Sequence, residues 1–282
     1  MFVINRLIGF GGSSGGGDDG SFFGNIQAAG LTSGLAICLD LGSASSYPGS
    51  GTQVFDLSGS AVHFDFGAST AAPTWSGGTA GGLSAAEYLS FDGGDVLNIT
   101  GGVNPASVET LHKDGAAFTY MAGIRTPGTF ASNDSLWGTG NNVATNNRGI
   151  TIATATGAGK LGIGGGNGSG NIISKYPDAA LATATDMIVG TSIAEATGAG
   201  GGFHWINAAY RQVSSADTFD ATYSSPSASA AAYAMQIGAG GNSGTPMSSG
   251  FRLYFFALWT GVALSKANMD TLHALIGPRL GV

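Results

Sequence analysis

From residue 31 onward the chain alternates short apolar runs, rich in β-branched and aromatic residues, with turns made of Gly, Ser, Asn and Pro. That pattern predicts strands over 35–41, 52–56, 61–66, 86–91, 95–99, 116–124, 149–155, 159–163, 186–194, 203–209, 233–238 and 251–260. In the last of these, FRLYFFALWT, strict alternation places Phe251, Leu253, Phe255, Ala257 and Trp259 on one face and Tyr254, Phe256 and Leu258 on the other. Both faces are apolar, so this strand is expected to be covered on both sides. Only 265–276 carries a helical period: Met269, Leu272, His273 and Ile276 form one stripe, with Ser265 as N-cap and Gly277 and Pro278 ending the helix. Twelve strands and one late helix predict an all-β fold of two packed antiparallel sheets over residues 31–282.

Residues 1–30 read differently. An apolar tip, MFVINRLIGF, is followed by a Gly/Ser-rich linker, GGSSGGGDDGS. Ten residues on a flexible tether cannot build a core. The segment is therefore either an unanchored tail or a peptide that docks on a neighbouring subunit through Phe2, Ile4, Leu7, Ile8 and Phe10. Arg6 interrupts the apolar run, which makes it a poor signal peptide. No stretch reaches the length of a membrane span, and the chain is expected to be soluble, without membrane insertion.

Charge removes further classes. Ten Lys and Arg are scattered singly in a chain of net charge −7, so the clustered cations that displace counterions from nucleic acid are missing. The single cysteine, Cys38, lies inside the apolar run 35–41 and is expected to be a buried, inert thiol.

Candidate chemistry is sparse. GAGKLG (157–162) matches a dinucleotide-binding glycine pattern, but it sits between strand candidates instead of opening a helix, and fifty glycines make chance matches common. GGSSG (11–15) fits a nucleophile elbow only formally, since it lies in the linker. His63 and Asp65 share a strand face and would suit a metal or, more simply, a hydrogen-bonded structural pair. His112, His204 and His273 have no evident partner. Glu87, Glu109 and Glu195 fall on separate segments, so no acid pair of glycosidase type is visible and no catalytic residue, cofactor or metal is assigned. The segment SNDSLWGTGNNVATNNR (132–148) mixes an aromatic with hydrogen-bonding groups. Asp134, Trp137, Asn141, Asn142 and Arg148 are candidate glycan contacts, against the plainer reading of a polar loop with one core tryptophan. Asp40 and Asp56, in CLDLGSASSYPGSGTQVFDLSG, read as turn-forming architecture.

Several segments resemble the LamG, concanavalin A-like lectin–glucanase family. The opening run just quoted carries Asp40, Tyr47, Pro48, Gly49, Phe55, Asp56, Ser58 and Gly59. LSFDGGDVLNI (89–99), FHWINAAYRQVSS (203–215) and the ending with Gly250, Phe251, Leu264, Ser265 and Met269 follow in the family's order. The resemblance implies a two-sheet jelly-roll sandwich with one C-terminal helix. Absence of the family's ExDxE strand argues against glucanase activity, and Asn207 in place of the hairpin acid argues against a calcium site. The SYPGSGT…DLSG variant resembles modules of bacteriophage virion proteins. It implies a non-enzymatic structural protein on the particle surface, as capsid decoration or a tail-fibre component, made in the host cytoplasm and assembled with other virion proteins as a homo-oligomer, a trimer being the expected form. Weak adhesion to host-surface glycans would add up through multivalency. A carbohydrate-binding module of a bacterial surface or extracellular protein is the alternative, and a glycoside hydrolase the third reading.

Overall fold

The computed structural model describes residues 20–78, 80–141, 147–155, 159–195, 200–211 and 216–282. The apolar tip with its proposed docking residues therefore lies outside the described residues, as does Asn142.

Sixteen strands form two eight-stranded sheets, and every strand pair is antiparallel. In chain order the strands are β1 (Leu35–Asp40), β2 (Gln53–Val54), β3 (Phe64–Phe66), β4 (Thr74–Ser76), β5 (Tyr88–Phe91), β6 (Leu97–Ile99), β7 (Ala117–Arg125) and β8 (Ser135–Gly138). They continue as β9 (Gly149–Thr154), β10 (Leu161–Gly166), β11 (Asn171–Lys175), β12 (Asp186–Ala194), β13 (Gly202–Ile206), β14 (Ala209–Arg211), β15 (Gln236–Ile237) and β16 (Phe251–Thr260). The first sheet runs β14-β13-β12-β7-β16-β5-β4, with β1 also on β16. The second runs β11-β10-β9-β8-β15-β6-β3-β2. This is the expected two-sheet antiparallel sandwich. Each of the twelve predicted runs holds a strand; β4, β8 and β11 are additional, and the run 203–209 opens into the β13–β14 hairpin. Asn207 and Ala208 turn that hairpin with φ of 46° and 58°, the mirror-image turn that suits a two-residue loop. Asn207 Oδ1 accepts the Ile188 N–H at 2.7 Å, so its side chain is committed to the neighbouring strand.

The interior between the sheets is filled by Leu39, Phe64, Phe91, Leu97, Tyr120, Trp137, Ile152, Phe256 and Leu258, all essentially inaccessible. A second core covers the outer face of the first sheet. There, α1 (Phe22–Ala28) and α2 (Lys266–Leu280) pack on Met121, Ile188, Tyr254, Phe255 and Trp259. β16 is thus covered on both sides, as its composition demands. The strict alternation fails, however: a bulge between Leu253 and Phe255 puts Phe251 and Leu253 inside the sandwich with Phe256 and Leu258, while Tyr254 and Phe255 both face the helices.

Helix α2 docks through its stripe. Met269, Leu272 and Ile276 are buried, and Met269 Cε would lie 2.5 Å from a Cβ on Gly190, so only glycine on β12 admits it. The predicted stop at Gly277 and Pro278 is corrected by the structure. Pro278 is inside the helix and Gly281, at φ 73°, is the C-cap. Pro278 forgoes the N–H bond to the preceding turn, and the helix closes three residues later on the αL conformation of Gly281. Residues 20–30, grouped with the tail by composition, include α1. Ser21 caps it by accepting the Gly24 N–H at 3.0 Å, and Phe22 and Ile26 are fully buried.

Asp40 and Asp56 explain the opening motif. Asp56 accepts N–H bonds from Cys38 (2.7 Å) and Ser58 (3.0 Å) and the Ser58 hydroxyl (2.7 Å). Ser46 accepts from Asp40 N–H and donates to the Phe55 carbonyl. Asp40 Oδ2 takes the Phe22 N–H at 2.7 Å, while Oδ1 takes the Gly42 N–H at 3.0 Å and the Arg279 guanidinium at 2.6 Å. Both members of that ion pair are buried, at 0% and 5% side-chain exposure. A Cβ on Gly42 would meet Arg279 Nη2 at 2.3 Å; the position needs glycine because the guanidinium fills the space. Burial holds the Cys38 thiol well above its usual range, reinforced by the adjacent Asp40 and Asp56.

Buried His204 is a core residue. It is hydrogen-bonded to Thr191 (2.9 Å) and the Lys175 carbonyl (3.1 Å) and packed on Phe219. Burial pushes its pKa down to about 4.

Two outcomes follow from this packing. Asp40→Asn leaves Arg279 buried without its counter-charge, and urea denaturation should show a loss of about 3–5 kcal/mol, partly recovered in Asp40→Asn/Arg279→Met; a loss below about 1 kcal/mol refutes the role given to the pair. The unfolded chain protonates His204 near pH 6.5 and the folded protein only near pH 4. Between those limits the unfolded state holds more protons, so stability is full above pH 6.5 and should fall by roughly 3 kcal/mol as the pH drops to 4. His204→Gln should flatten this part of the thermal-midpoint profile, and an unchanged slope excludes the histidine as its source.

Candidate functional site

The predicted 132–148 site does not assemble as a sugar-binding surface. Trp137 lies on β8, fully buried, with its ring 5.6 Å from Tyr120 and 6.0 Å from Phe256. Asp134 is 1% exposed, and its carboxylate accepts the Ala131 N–H at 3.0 Å. Arg148 Nε donates to the Ala230 carbonyl at 2.9 Å. The plainer reading of a core tryptophan is the one the structure supports. Polar residues around it feed turns and strand ends. Among the described members of the group, Asn141 lies toward the outer face of the second sheet, with Oδ1 against Gly244.

Helices cover most of the outer face of the first sheet, leaving the row Asp186–Arg125–Arg252–Ser90–Thr74 partly exposed at one end and closed by the Arg125–Asp186 ion pair; on the second sheet, outward strand side chains also reach solvent. Three of its strands each place one polar residue between two apolar ones, Asp65 on β3, Asn98 on β6 and Gln236 on β15, and β2 adds Gln53 beside buried Val54. With a period of two, the apolar neighbours face the core and the polar residue faces out. Register then brings the four side by side, Gln53 opposite Asp65, Asp65 opposite Asn98, and Asn98 opposite Gln236. The row continues through Gly138, Thr151 and Gly164 to Ser174 on β11. Its middle is closed: Thr151 is 1% exposed, its hydroxyl bonded to the Gly140 carbonyl, and Gly241 N–H bonds Gly140 from above. Gln236 is also buried, at 8% exposure, so the open part runs from Gln53 to Asn98, two strand spacings or about 10 Å.

Hydrogen bonds fix these side chains against one another. Gln53 Nε2 donates to Asp65 Oδ1 (2.7 Å) and Thr100 Oγ1 (3.1 Å). Gln236 Nε2 donates to Asn98 Oδ1, and its Oε1 accepts the Ser243 N–H, each at 2.5 Å. Asn242, Ser243 and Thr245 in that flanking loop all have positive φ. Within the described residues Asp65 Oδ2 and Asn98 Nδ2 make no hydrogen bond, leaving one acceptor and one donor free on adjacent strands.

An aromatic edge borders this row. Phe55, 37% exposed, meets His63 edge-on at 5.3 Å, and both follow the outward phase of Gln53 and Asp65. His63 Nδ1 accepts the Asp56 N–H at 3.0 Å, which supports the structural reading of this histidine. His63 and Thr100 also line a hollow of about 280 Å³ with Val62, Val103, Asn104 and Pro105. No group of three or more metal-ligating side chains occurs among the described residues.

Other acids and histidines are structural. Glu87 accepts the Gly82 and Ser84 N–H groups at 2.8 Å, Glu109 the Ala231 N–H at 2.9 Å, and Glu195 those of Gly115 and Tyr223. All three fasten loops. Burial lowers the pKa of both His112 and His273; His112 Nε2 reaches the Ser229 carbonyl, and His273 stacks edge-on with Trp205. Two further hollows, of about 310 and 410 Å³, flank Lys113 and Asp114 on loops. No helix among the described residues is long and apolar enough to cross a membrane.

No family model matches the chain, and none of the curated proteins matches it in sequence. Solved structures show its fold. Domain 4 of AbnA, a GH43 extracellular arabinanase from Geobacillus stearothermophilus in complex with arabinotriose, aligns at TM-score 0.53 and 12% identity over 84% of this chain and 97% of that one. The binding domain of botulinum neurotoxin DC in complex with SialylT aligns at TM-score 0.51 and 9% identity over 86% and 52%. A mutant of Trypanosoma rangeli sialidase displaying trans-sialidase activity aligns at 0.53 and 12% over 86% of this chain, which spans only about a third of that enzyme's length. At these identities the likeness is one of fold: the chain is a β-sandwich of the architecture that these proteins contain.

Proposed function

We propose that the chain is a non-enzymatic carbohydrate-binding module that uses the open row Gln53–Asp65–Asn98, backed by buried Gln236. The observation that carries this reading is the row itself, a line of amide and carboxylate groups held in register beside an exposed phenylalanine. Sugars present apolar ring faces and hydroxyls that both donate and accept, and this edge offers a ring together with free Asp65 Oδ2 and Asn98 Nδ2. Domain 4 of AbnA, solved with arabinotriose, and the binding domain of botulinum neurotoxin DC, solved with SialylT, share this fold, which fits a lectin-like role. Asp65 is the row's single carboxylate, and the glutamates are spent on loop N–H groups, so the row holds no acid pair of glycosidase type.

The finer reading places this module on a bacteriophage particle, as capsid decoration or tail-fibre component, docked through the tip around Phe2 to Phe10 and displayed as a homo-oligomer. Its support is the SYPGSGT…DLSG resemblance and the tip-plus-linker composition of residues 1–19.

A glycan array should give hits, and calorimetry on the strongest hit should show Phe55→Ala and Asn98→Ala each binding about 3–10-fold more weakly, with Ser174→Ala unchanged. A blank array rejects the proposal. For the assembly, sedimentation should show the full chain as an oligomer and residues 20–282, which keep α1 and its cap, as a smaller species; a full chain that sediments as a monomer rejects self-docking by the tip.

A further inference from the structure

The row also carries information on which saccharides it would admit. Its outward groups are three primary amides, flanking hydroxyls on Thr100 and Ser243, and one carboxylate, Asp65. No lysine or arginine stands in it. Two ion pairs occur among the described residues, Arg125–Asp186 and Arg279–Asp40, and neither touches the row. Arg252 lies over the Tyr88 ring at 4.2 Å, and Arg148 is bonded to Ala230. On the second sheet, β11 carries Lys175. It is paired with inward-facing Ile163, on a strand about 19 Å from Gln236 and beyond the screening length of physiological salt. The internal segments 142–146, 156–158, 196–199 and 212–215 contain no Lys or Arg in sequence.

An anionic sugar, whether a sialic acid or a uronic acid, would bring its carboxylate against Asp65 Oδ2 with no cation of the row among the described residues to offset the repulsion, in the field of a chain of net charge −7. Neutral hydroxyls meet no such penalty: they can donate to Asp65 Oδ2 and accept from Asn98 Nδ2. Buried Gln236 and the closed middle at Thr151 and Gly140 limit the ligand to the roughly 10 Å that remain open. Resting on the carbohydrate-binding reading above, we infer that the site takes short neutral oligosaccharides and rejects anionic ones, with Asp65 as the residue that discriminates.

An array printed with matched neutral and anionic pairs, lactose beside sialyllactose and digalactose beside digalacturonate, tests this with the full chain. Neutral members should bind at least about tenfold more tightly than their partners. In Asp65→Asn, which keeps an acceptor for Gln53, that ratio should shrink about 3–10-fold, and in the native chain it should shrink with added salt. Anionic members binding as well as or better than neutral ones overturn the inference while leaving carbohydrate binding in place. A ratio unmoved in Asp65→Asn, with an unchanged melting temperature, overturns the role of Asp65. An array blank for every member removes the carbohydrate reading and the inference with it.

Discussion

A single buried carboxylate decides how this sandwich presents itself. Asp40 sits at the end of β1 and collects the first N–H of α1, the Gly42 N–H and the guanidinium of Arg279 near the C-terminus. Chain segments more than two hundred residues apart are thereby fixed to one point on the first sheet. The pair is costly to bury: Arg279 Nε and Nη2 have no hydrogen-bond partner, and only the Phe255 face, 5.9 Å away, offers partial compensation. Its value lies in placement. With α1 and α2 held there, most of the outer face of the first sheet becomes a second core, and its remaining polar row is closed by the Arg125–Asp186 ion pair, whereas the second sheet keeps free polar groups.

The same constraint accounts for what the sequence made legible. Asp40, Ser46 and Asp56 recur in a turn-rich stretch, and their roles as local acceptors follow from short-range chemistry. Strand runs such as 186–194 and 251–260 were readable because both faces are apolar. By contrast, the bulge at Leu253–Phe255 leaves no mark in a strand already apolar on both faces. Gly277 and Pro278 carry the composition of a helix stop, while the αL cap that ends α2 is Gly281, so local composition points four residues too early. Helix α1 was hidden by the linker before it, since seven residues have little periodicity to show and most of their stability comes from tertiary burial.

Composition also misdirected the search for a site. The 132–148 segment has the residue types of a sugar-binding loop, but types do not report direction, and β8 turns Trp137 into the core. The polar row was visible only in fragments: Asp65 between Phe64 and Phe66, Asn98 between Leu97 and Ile99, Gln236 between Met235 and Ile237. Each triplet marks an outward position. That the three meet depends on pairing between strands far apart in sequence, which no local pattern encodes.

A row of this kind sets its own energetic scale. Each hydrogen bond that a sugar makes to it replaces one to water, for a net gain of about 1 kcal/mol, and two free polar groups with one half-exposed ring offer few such gains. Affinity per site is then modest, and a charge that meets Asp65 weighs heavily against so small a total. Weak single-site binding gains strength when copies are displayed together, because a second engagement becomes intramolecular. The shallow site and the proposed oligomeric display are therefore connected by the same arithmetic: a surface this sparing in contacts is useful in proportion to how many copies act at once.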